Sequence, residues 1–180
     1  VAGLSCASAQ GFPSRQIDLV VPFVAGGTTD TIARLVGQRM NDQWGQPAII
    51  LNRPGGGSNV GFEVVARLPA DGYTLLMAQP AFTVNVSLYK KLSYDPLRDF
   101  SAVTLTASGA NALVVHPSVP VRTLKDFIAL AKSRPGQLNY ASSGNGSTNQ
   151  FAAELLKSQA GLDMTHVPYK GMGPATTDVI

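Results

Sequence analysis

The fold is decided by the segment Ile17-Asp18-Leu19-Val20-Val21-Pro22-Phe23-Val24-Ala25-Gly26-Gly27-Thr28-Thr29-Asp30, in which an apolar run passes through two glycines into a helical pattern. Apolar residues then recur at positions 32, 35, 36 and 40, the spacing of one helical face. Strand, turn and helix make one βα unit, whose turn directs free backbone N–H groups past the carboxyl end of the strand. Because glycine has no Cβ, a ligand can come close to this backbone. We therefore predict half of an anion-binding site at Gly26-Gly27.

Strand and helix patterns continue to alternate along the chain. Strands are predicted at residues 16–23, 48–51, 73–78, 102–106, 138–141 and 164–168, and helices at 28–44, 60–68, 124–134, 151–160 and from 175 onward. Residues 79–100 interrupt this rhythm and are predicted to form a loop with a short helix. The alternation is typical of parallel α/β sheets. Small residues follow the strand at 102–106, so the predicted division is a first lobe at 10–106 and a second lobe at 107–180.

The apolar stripes of the helices also predict which side chains fill the core. The predicted inward side chains are Ile32, Leu35, Val36 and Met40; Val60, Val64 and Leu68; Leu124, Phe127, Ile128 and Ala131; Phe151, Leu155 and Leu156; and Trp44. The last predicted helix begins at Ala175 and is cut after six residues, too few to cover a sheet. We therefore expect the sequence to be incomplete at its C-terminus.

Composition narrows the class of function. Among 180 residues, Lys and Arg number 14 and Asp and Glu number 11, and the basic residues are scattered, so no nucleic-acid groove is indicated. Charged residues make up 14% of the chain, against about 25% in an ordinary soluble protein. Many of the polar interactions must therefore be made by neutral polar side chains and by the backbone. No apolar run approaches the roughly 18 residues of a membrane span.

The first nine residues predict a processing signal rather than part of the fold. Ala7-Ser8-Ala9 fits an A-x-A cleavage site, so we expect an exported, periplasmic protein cleaved after Ala9. Cys6 is the only cysteine and would leave with the signal, although a lipid anchor on it is a weak alternative. Without a cysteine pair, neither a disulfide nor a thiolate metal cluster is expected. A frayed N-terminus is the other interpretation.

A second turn has the same strand-turn-helix pattern as the first. Ser143-Gly144-Asn145-Gly146-Ser147-Thr148 also follows a predicted strand and opens a helix. Ligands bind at the carboxyl ends of strands in open α/β sheets, so two facing lobes would place both turns across one cleft. Neither turn contains Lys or Arg, which leaves binding to backbone and hydroxyl donors. At about 1.5–3 kcal/mol per charge-assisted hydrogen bond, two carboxylates held in this way reach micromolar affinity, about 8 kcal/mol.

Several ordered blocks give the chain a family resemblance. They are Val20-Val21-Pro22-Phe23-Val24-Ala25-Gly26-Gly27-Thr28-Thr29-Asp30, Asn52-Arg53-Pro54-Gly55-Gly56-Gly57, Asp71-Gly72-Tyr73-Thr74-Leu75-Leu76, Tyr94-Asp95-Pro96, Leu138-Asn139-Tyr140-Ala141-Ser142-Ser143-Gly144-Asn145-Gly146-Ser147 and His166-Val167-Pro168-Tyr169-Lys170-Gly171. With them, the chain after Gln10 resembles the periplasmic solute-binding proteins of the tripartite tricarboxylate transporter family, the Bug or TctC family. The resemblance implies a two-lobed α/β fold of the type II, Venus-flytrap class, closing on a small anionic solute. It also implies that a C-terminal segment returning to the first lobe is missing here.

The resemblance further implies which residues touch the solute. The implied contacts are Ala25, Gly26, Gly27, Thr28 and Asp30 in the first turn, Ser142, Ser143, Gly146, Ser147 and Thr148 in the second, and Gln79, Pro80, Ala81, Phe82, Tyr169 and Lys170 around the cleft. The implied partners are a small mono-, di- or tricarboxylate, an aromatic carboxylate or an acidic amino acid, and the membrane permease that receives it. We expect a monomer without cofactor, metal or nucleic acid, and no catalysis.

Two other functions stay open at this point. A serine-dependent hydrolase of a small anionic ester would use Ser143 or Ser147, although the chain has no G-x-S-x-G elbow. A binding protein with a sensory role would need no cognate permease.

Several of these residues also have a purely structural interpretation. Gly26-Gly27 could be only a tight turn, and Gly55-Gly56-Gly57 is interpreted as one. Asp30 is expected to order the first turn or to pair with Arg34, four residues on. Both histidines, at positions 116 and 166, are interpreted as structural.

Overall fold

The computed structural model of the protein describes residues 11–180. The first sheet of this part consists of three parallel strands, β1 (Ile17–Val21), β2 (Ala48–Asn52) and β3 (Thr74–Leu76), in the order β2-β1-β3. Four of the five residues of β1 are buried, because β1 is the central strand. The chain passes from β1 to β2 on one side of it and later forms β3 on its other side. A crevice opens at the carboxyl end of a strand where the order reverses in this way, and here that strand is β1.

The first sheet is accompanied by α1 (Thr28–Trp44), α2 (Asn59–Ala66) and α3 (Ala81–Leu88). The predicted bounds of α1 are confirmed, and α1 ends where Gly45 takes a left-handed conformation with φ 64°. A short 3₁₀ turn, Gly56–Ser58, precedes α2. The short helix predicted within residues 79–100 is also confirmed as α3.

The second half contains α4 (Leu124–Ser133), β4 (Leu138–Ser142), α5 (Thr148–Ala160), β5 (Met164–Pro168) and α6 (Met172–Val179). β4 and β5 form a parallel pair in which Tyr140 lies opposite His166. Thr123 caps α4 in a capping box with Asp126. Gly161, with φ 62°, ends α5. The last helix begins three residues earlier than predicted and has 8 residues.

Part of the predicted core is wrong, because several apolar side chains of the helices face outward. Leu35, Trp44, Val60, Val64, Leu68, Leu124, Phe151 and Leu155 are between 37% and 60% exposed. The helices instead approach the sheet through small residues. A Cβ added to Gly37 in α1 would lie 3.2 Å from Ile50 Cδ1, and one added to Gly61 in α2 would lie 2.7 Å from Pro22 Cβ.

The rest of the predicted core is confirmed. Met40 is buried, and Ile32 and Val36 pack against the same cluster on β1. Leu156 packs against a second cluster that includes Phe127 and is centred on α4 and β5.

The predicted strand at 102–106 is also wrong. Residues 101–116 have no regular secondary structure, and Val103 and Leu105 are 80% and 81% exposed. A strand needs a partner for its backbone groups, and within the described part of the chain no strand pairs with this segment. β-branched residues alone therefore did not make a strand here.

The predicted signal remnant at residues 1–9, including Cys6 and the cleavage site after Ala9, lies outside the described residues. Within residues 11–180, none of the helices has the length and apolar character needed to cross a membrane.

Candidate functional site

The first turn joins β1 to α1 and carries unpaired backbone donors. Gly27 is the N-cap of α1 in an extended conformation with φ −84°, and no side chain in the described part of the protein caps the helix. The first backbone hydrogen bond of the helix runs from the N–H of Thr31 to the carbonyl of Gly27, at 3.0 Å. Among residues 11–180, the N–H groups of Gly27, Thr28 and Thr29 have no partner. Such a helix start is suited to an anion.

Asp30 fixes the shape of this first turn. Its carboxylate accepts the N–H of Gly26 at 2.9 Å, Arg34 Nε at 2.8 Å and Asn52 Nδ2 at 2.9 Å, and the residue is 2% exposed. Burial raises its pKa, but the hydrogen bonds from Arg34, Gly26 and Asn52 outweigh burial and hold the pKa at about 2. The expected pair with Arg34 is thus confirmed. The N–H of Gly26, an implied solute contact, is already used within the protein.

The second turn joins β4 to α5 and is built in the same way. Ser147 is the N-cap of α5, and its Oγ accepts the N–H of Gln150 at 3.4 Å. Gln150 Oε1 in turn accepts the N–H of Gly146 at 2.7 Å. The N–H groups of Thr148 and Asn149 have no partner within the described residues. The second turn therefore also presents unpaired donors at a helix start.

Two hydroxyls of the second turn are already bound within the protein. Ser142 is buried, lies 2.7 Å from His166 Nε2 and accepts the N–H of Gly144 at 3.2 Å. Ser143 Oγ donates to Asn149 Oδ1 at 2.9 Å. In this structure, Ser142 and Ser143 shape the turn, and the backbone supplies its unpaired donors.

One set of contacts links the two turns through α3. The Gln79 side chain, just before α3, donates to Thr29 Oγ1 at the first turn. At the second turn, a Cβ added to Gly146 would lie 2.8 Å from Asn85 Oδ1 and 3.4 Å from Ala81 Cβ. Only a glycine can therefore bring this turn so close to α3.

A second link runs through the segment between β5 and α6. A Cβ added to Gly144 would lie 3.1 Å from the carbonyl of Tyr169, and one added to Gly171 would lie 2.5 Å from Val24 Cγ2. The segments that follow β1 and β4 are thus linked by two separate sets of contacts.

The implied contact residues differ in accessibility. Ala25, Gly26, Thr28, Thr148 and Lys170 are exposed, Gln79 and Tyr169 are half-buried, and Gly27, Asp30, Ser142, Ser143, Gly146 and Ser147 are buried. The hydroxyl of Tyr169 donates to Asp178 on α6, so this group is held within its own half of the chain.

Sequence reasoning missed Gln150 and Asn85. Ser147-Thr148-Asn149-Gln150 matches the S-x-x-Q capping pattern, which signals a side chain that reaches back to the start of the helix. Asn85 is buried, and its Nδ2 donates to Gly57 O and Asn59 Oδ1, both at 2.8 Å. These partners lie 28 and 26 residues away, so no local pattern could have revealed them.

Two surface concavities flank α3. One, of about 430 Å³, is lined by Val86, Tyr89, Lys90, Leu92, Tyr94, Asp95, Pro96 and Leu97 and lies away from the unpaired donors. The other, of about 270 Å³, borders the second turn and is lined by Leu88, Tyr89, Asn145 and Gln150. The candidate site is therefore defined by its backbone donors and not by either concavity.

Comparison with known proteins identifies the family. Residues 32–180 match the model of the TctC family, described as the tripartite tricarboxylate transporter family receptor. The chain belongs to this family. It is 35% identical to BugT of Bordetella pertussis, over 96% of this chain and 54% of BugT. The chain spans about half the length of the curated relatives it matches.

Solved structures of similar proteins confirm the predicted fold class. The structure of R. palustris Rpa4515 with adipate has a TM-score of 0.91 and 42% identity, with 94% of this chain and 57% of that chain covered. MatC (Rpa3494) from Rhodopseudomonas palustris with bound malate has a TM-score of 0.78 and 34% identity, with 93% and 57% covered. This chain is thus part of the two-lobed α/β fold of periplasmic binding proteins. Adipate and malate, the molecules bound in these two neighbours, are both dicarboxylates.

Proposed function

We propose that the protein captures a small carboxylate between its first and second turns, outside the cytoplasmic membrane, and delivers it to a membrane permease. In this proposal the lobes comprise residues 10–106 and 107–180, with Gln79 and Tyr169 at the cleft. Closure on the solute would be a hinge motion of one lobe against the other.

One observation carries this proposal. At two helix starts, Gly27–Thr29 and Thr148–Asn149, the N–H groups have no partner among residues 11–180, and neither turn offers a Lys or Arg. Each start suits one carboxylate group. A dicarboxylate of adipate or malate type, as bound in the two structural neighbours, has one such group at each end. Because the ends are recognised by backbone, the middle of the solute can vary, and aromatic or amino-acid carboxylates also fit the proposal.

The hydrolase alternative has less support. Ser143 donates to Asn149, and Ser147 accepts the N–H of Gln150. Within the described part of the chain, neither of these serines is hydrogen-bonded to a histidine. Ser142 does contact His166, but it is fully buried. A nucleophile needs an adjacent base and access to substrate. The family, moreover, is one of receptors. A sensory role would use the same binding step without a permease.

Substitution of Gly27 tests the site. Gly27 has a negative φ, and an added Cβ would lie 3.8 Å from Val24 O and 4.0 Å from Met172 N, an ordinary contact distance. Gly27→Asp therefore adds a negative charge with little steric cost, and Gly27→Ala is the matched uncharged control. We expect Gly27→Asp to weaken adipate binding tenfold to hundredfold, about the value of one charge-assisted hydrogen bond. Gly27→Ala should stay close to the wild type.

Isothermal titration calorimetry with adipate, malate and an aromatic carboxylate is the measurement, with thermal unfolding to show that both variants fold. Equal affinity of the wild type and Gly27→Asp for a bound carboxylate would exclude the first turn as its site. Turnover of a small anionic ester that is lost in Ser143→Ala would favour the hydrolase instead.

A further inference from the structure

Both turns are held by the same type of hydrogen bond, from a glycine N–H to a side chain of the following helix. The two turns differ in the groups that hold this side chain in place. In each, a side chain in the first turn of a helix reaches back to the N–H of a glycine four residues earlier. Asp30 accepts the N–H of Gly26 and Gln150 accepts that of Gly146. The two glycines have similar positive φ values of 86° and 78°, which favour glycine. The difference lies in what holds the accepting side chain.

In the first turn, the acceptor is locked by groups that do not change charge near neutral pH. Arg34 and Asn52 both donate to the Asp30 carboxylate, whose pKa is held at about 2 against the opposing effect of burial. The first turn therefore has the same hydrogen bonds across the whole physiological pH range.

In the second turn, the acceptor is held by a histidine. Gln150 uses Oε1 for Gly146, so its Nε2 is the atom that faces His166 Nδ1, at 3.3 Å. An amide nitrogen only donates, so Nδ1 must be the unprotonated, accepting nitrogen of the ring. The other ring nitrogen, Nε2, then carries the proton and donates to Ser142 Oγ at 2.7 Å. The bond from Gln150 Nε2 to Nδ1 therefore requires a neutral imidazole, whereas Nε2 can donate to Ser142 in either charge state of the ring.

The surroundings of His166 place its titration below the usual range. The ring stacks on Tyr140, with centroids 4.8 Å apart. The charged groups that act on it are Glu154 and Lys157, both on α5. Burial is the main cause that lowers the pKa of His166, Glu154 opposes it, and Lys157 adds to it. His166 is therefore neutral at pH 7.5 and takes up a proton below its ordinary pKa of about 6.5.

We propose that Gln150 is a positioning residue that His166 switches, so that protonation of His166 releases the N–H of Gly146 for an anion. A doubly protonated ring places a donor against Gln150 Nε2. Rotation of the amide by half a turn relieves this conflict, because Oε1 then accepts from His166. Gly146 loses its acceptor, and Gln150 Nε2 joins it as a second donor in the turn. A carboxylate in the second turn and a proton on His166 thus favour each other.

The ligand test of this inference rests on the proposed function and uses adipate with the full protein. Calorimetry is carried out at pH 7.5 and 5.5 on the wild type, His166→Gln and His116→Gln. His116 is the matched control, because it is exposed and its Nδ1 lies 2.7 Å from Ser118 Oγ. The titration of adipate itself is common to all three proteins and cancels in ratios of affinity. We expect the wild type to gain about tenfold over His166→Gln on acidification, or about 1.4 kcal/mol, and His116→Gln to follow the wild type.

The same pH profile in the wild type and His166→Gln would overturn the proposal. Should His166→Gln fail to fold, NMR titration of the wild type decides instead. Adipate must raise the pKa of His166, by reciprocity. An unchanged pKa of His166 in the presence of bound adipate overturns the switch.

A readout without ligand separates this inference from the proposed function. The amide signal of Gly146 should shift with the midpoint of His166 in the wild type, and this shift should vanish in Gln150→Ala. If adipate does not bind at either pH, the proposed function fails for that solute, while a titrating Gly146 signal still supports the switch. A Gly146 signal that is independent of His166 overturns the switch, whatever adipate does.

Discussion

At the scale of single residues, the buried carboxylate of Asp30 combines a local and a distant interaction. The spacing of four residues predicted its pair with Arg34, and that pair is present at 2.8 Å. Asn52, 22 residues further on, reaches the same carboxylate because β1 and β2 pair in parallel. No local pattern reveals such a partner. The sequence therefore indicated that Asp30 orders the first turn, but not how strongly the residue is held.

Asp30→Asn should destabilise the protein at neutral pH. The variant keeps an acceptor for the N–H of Gly26 but loses the charge that pairs with Arg34. We expect a loss of roughly 1–2 kcal/mol in the free energy of unfolding, a range reduced for solvent screening because the Arg34 side chain is 55% exposed. Urea unfolding at pH 7 measures it, with Asp42→Asn, an exposed change on the same helix, as the control. Equal losses in both variants would contradict the role assigned to Asp30.

The pH dependence of this difference has a definite direction. The pKa of Asp30 is lowered from 3.8 to about 2, with burial as the largest, opposing effect and hydrogen bonding as the net cause. A carboxylate with a lowered pKa stabilises the fold above its ordinary pKa, and this contribution is lost as pH falls through the folded value. The stability difference between the wild type and Asp30→Asn should thus shrink between about pH 4 and pH 2. A difference that stays constant through this range would show that the charge is not its cause.

At the scale of helices and strands, the ends of the helices were easier to predict than the side of each helix that faces the core. Gly45 and Gly161 stop α1 and α5 in left-handed conformations, and such punctuation is visible in a sequence. The faces depend on which residues allow close approach. In α2 the stripe at Val60 and Val64 is exposed, while Gly61 lies against Pro22, the residue after β1, and Phe62 is buried. The periodicity of apolar residues alone does not show that the face carrying a glycine is the face in contact with the rest of the protein.

Alanine substitutions at two helical glycines, Gly61 in α2 and Gly37 in α1, test this explanation. Replacement of either by alanine gains about 1 kcal/mol of helix propensity. At Gly61 the new Cβ would lie 2.7 Å from Pro22 Cβ and 3.0 Å from the Arg53 carbonyl, both part of a rigid neighbourhood. Overpacking of this kind costs typically about 1–3 kcal/mol. After the gain in helix propensity is subtracted, Gly61→Ala should lose up to about 2 kcal/mol of stability.

Gly37→Ala is the matched control in urea unfolding. Its Cβ would meet the movable end of Ile50 at 3.2 Å, so we expect its stability to stay within about 0.5 kcal/mol of the wild type. Should Gly61→Ala prove as stable as Gly37→Ala, close approach of α2 to β1 would not be what sets its inward face.

At the scale of the whole molecule, glycines let the two halves meet. Gly146 approaches Asn85, and Gly171 approaches Val24. The sequence predicted the repeated turns, because both lie in local strand-turn-helix patterns. It did not predict these contacts, which join residues far apart in the chain. For the same reason it placed a strand at 102–106, where pairing with another part of the molecule decides the outcome.

The contact between Gly171 and Val24 yields a prediction about closure of the two halves. Gly171→Ala places a Cβ 2.5 Å from Val24 Cγ2, so the first turn should be displaced from α6 and adipate binding should weaken about tenfold. Val24→Ala removes Cγ2, and the next atom of Val24 near the new Cβ is 3.9 Å away. The double variant should therefore regain most of the affinity, as measured by calorimetry. It should not regain stability in urea, because Gly171 has φ 130° and an alanine there is strained by about 1–3 kcal/mol in any surroundings. Affinity that stays low in the double variant would mean that backbone strain, and not the collision with Val24, controls the approach of the two halves.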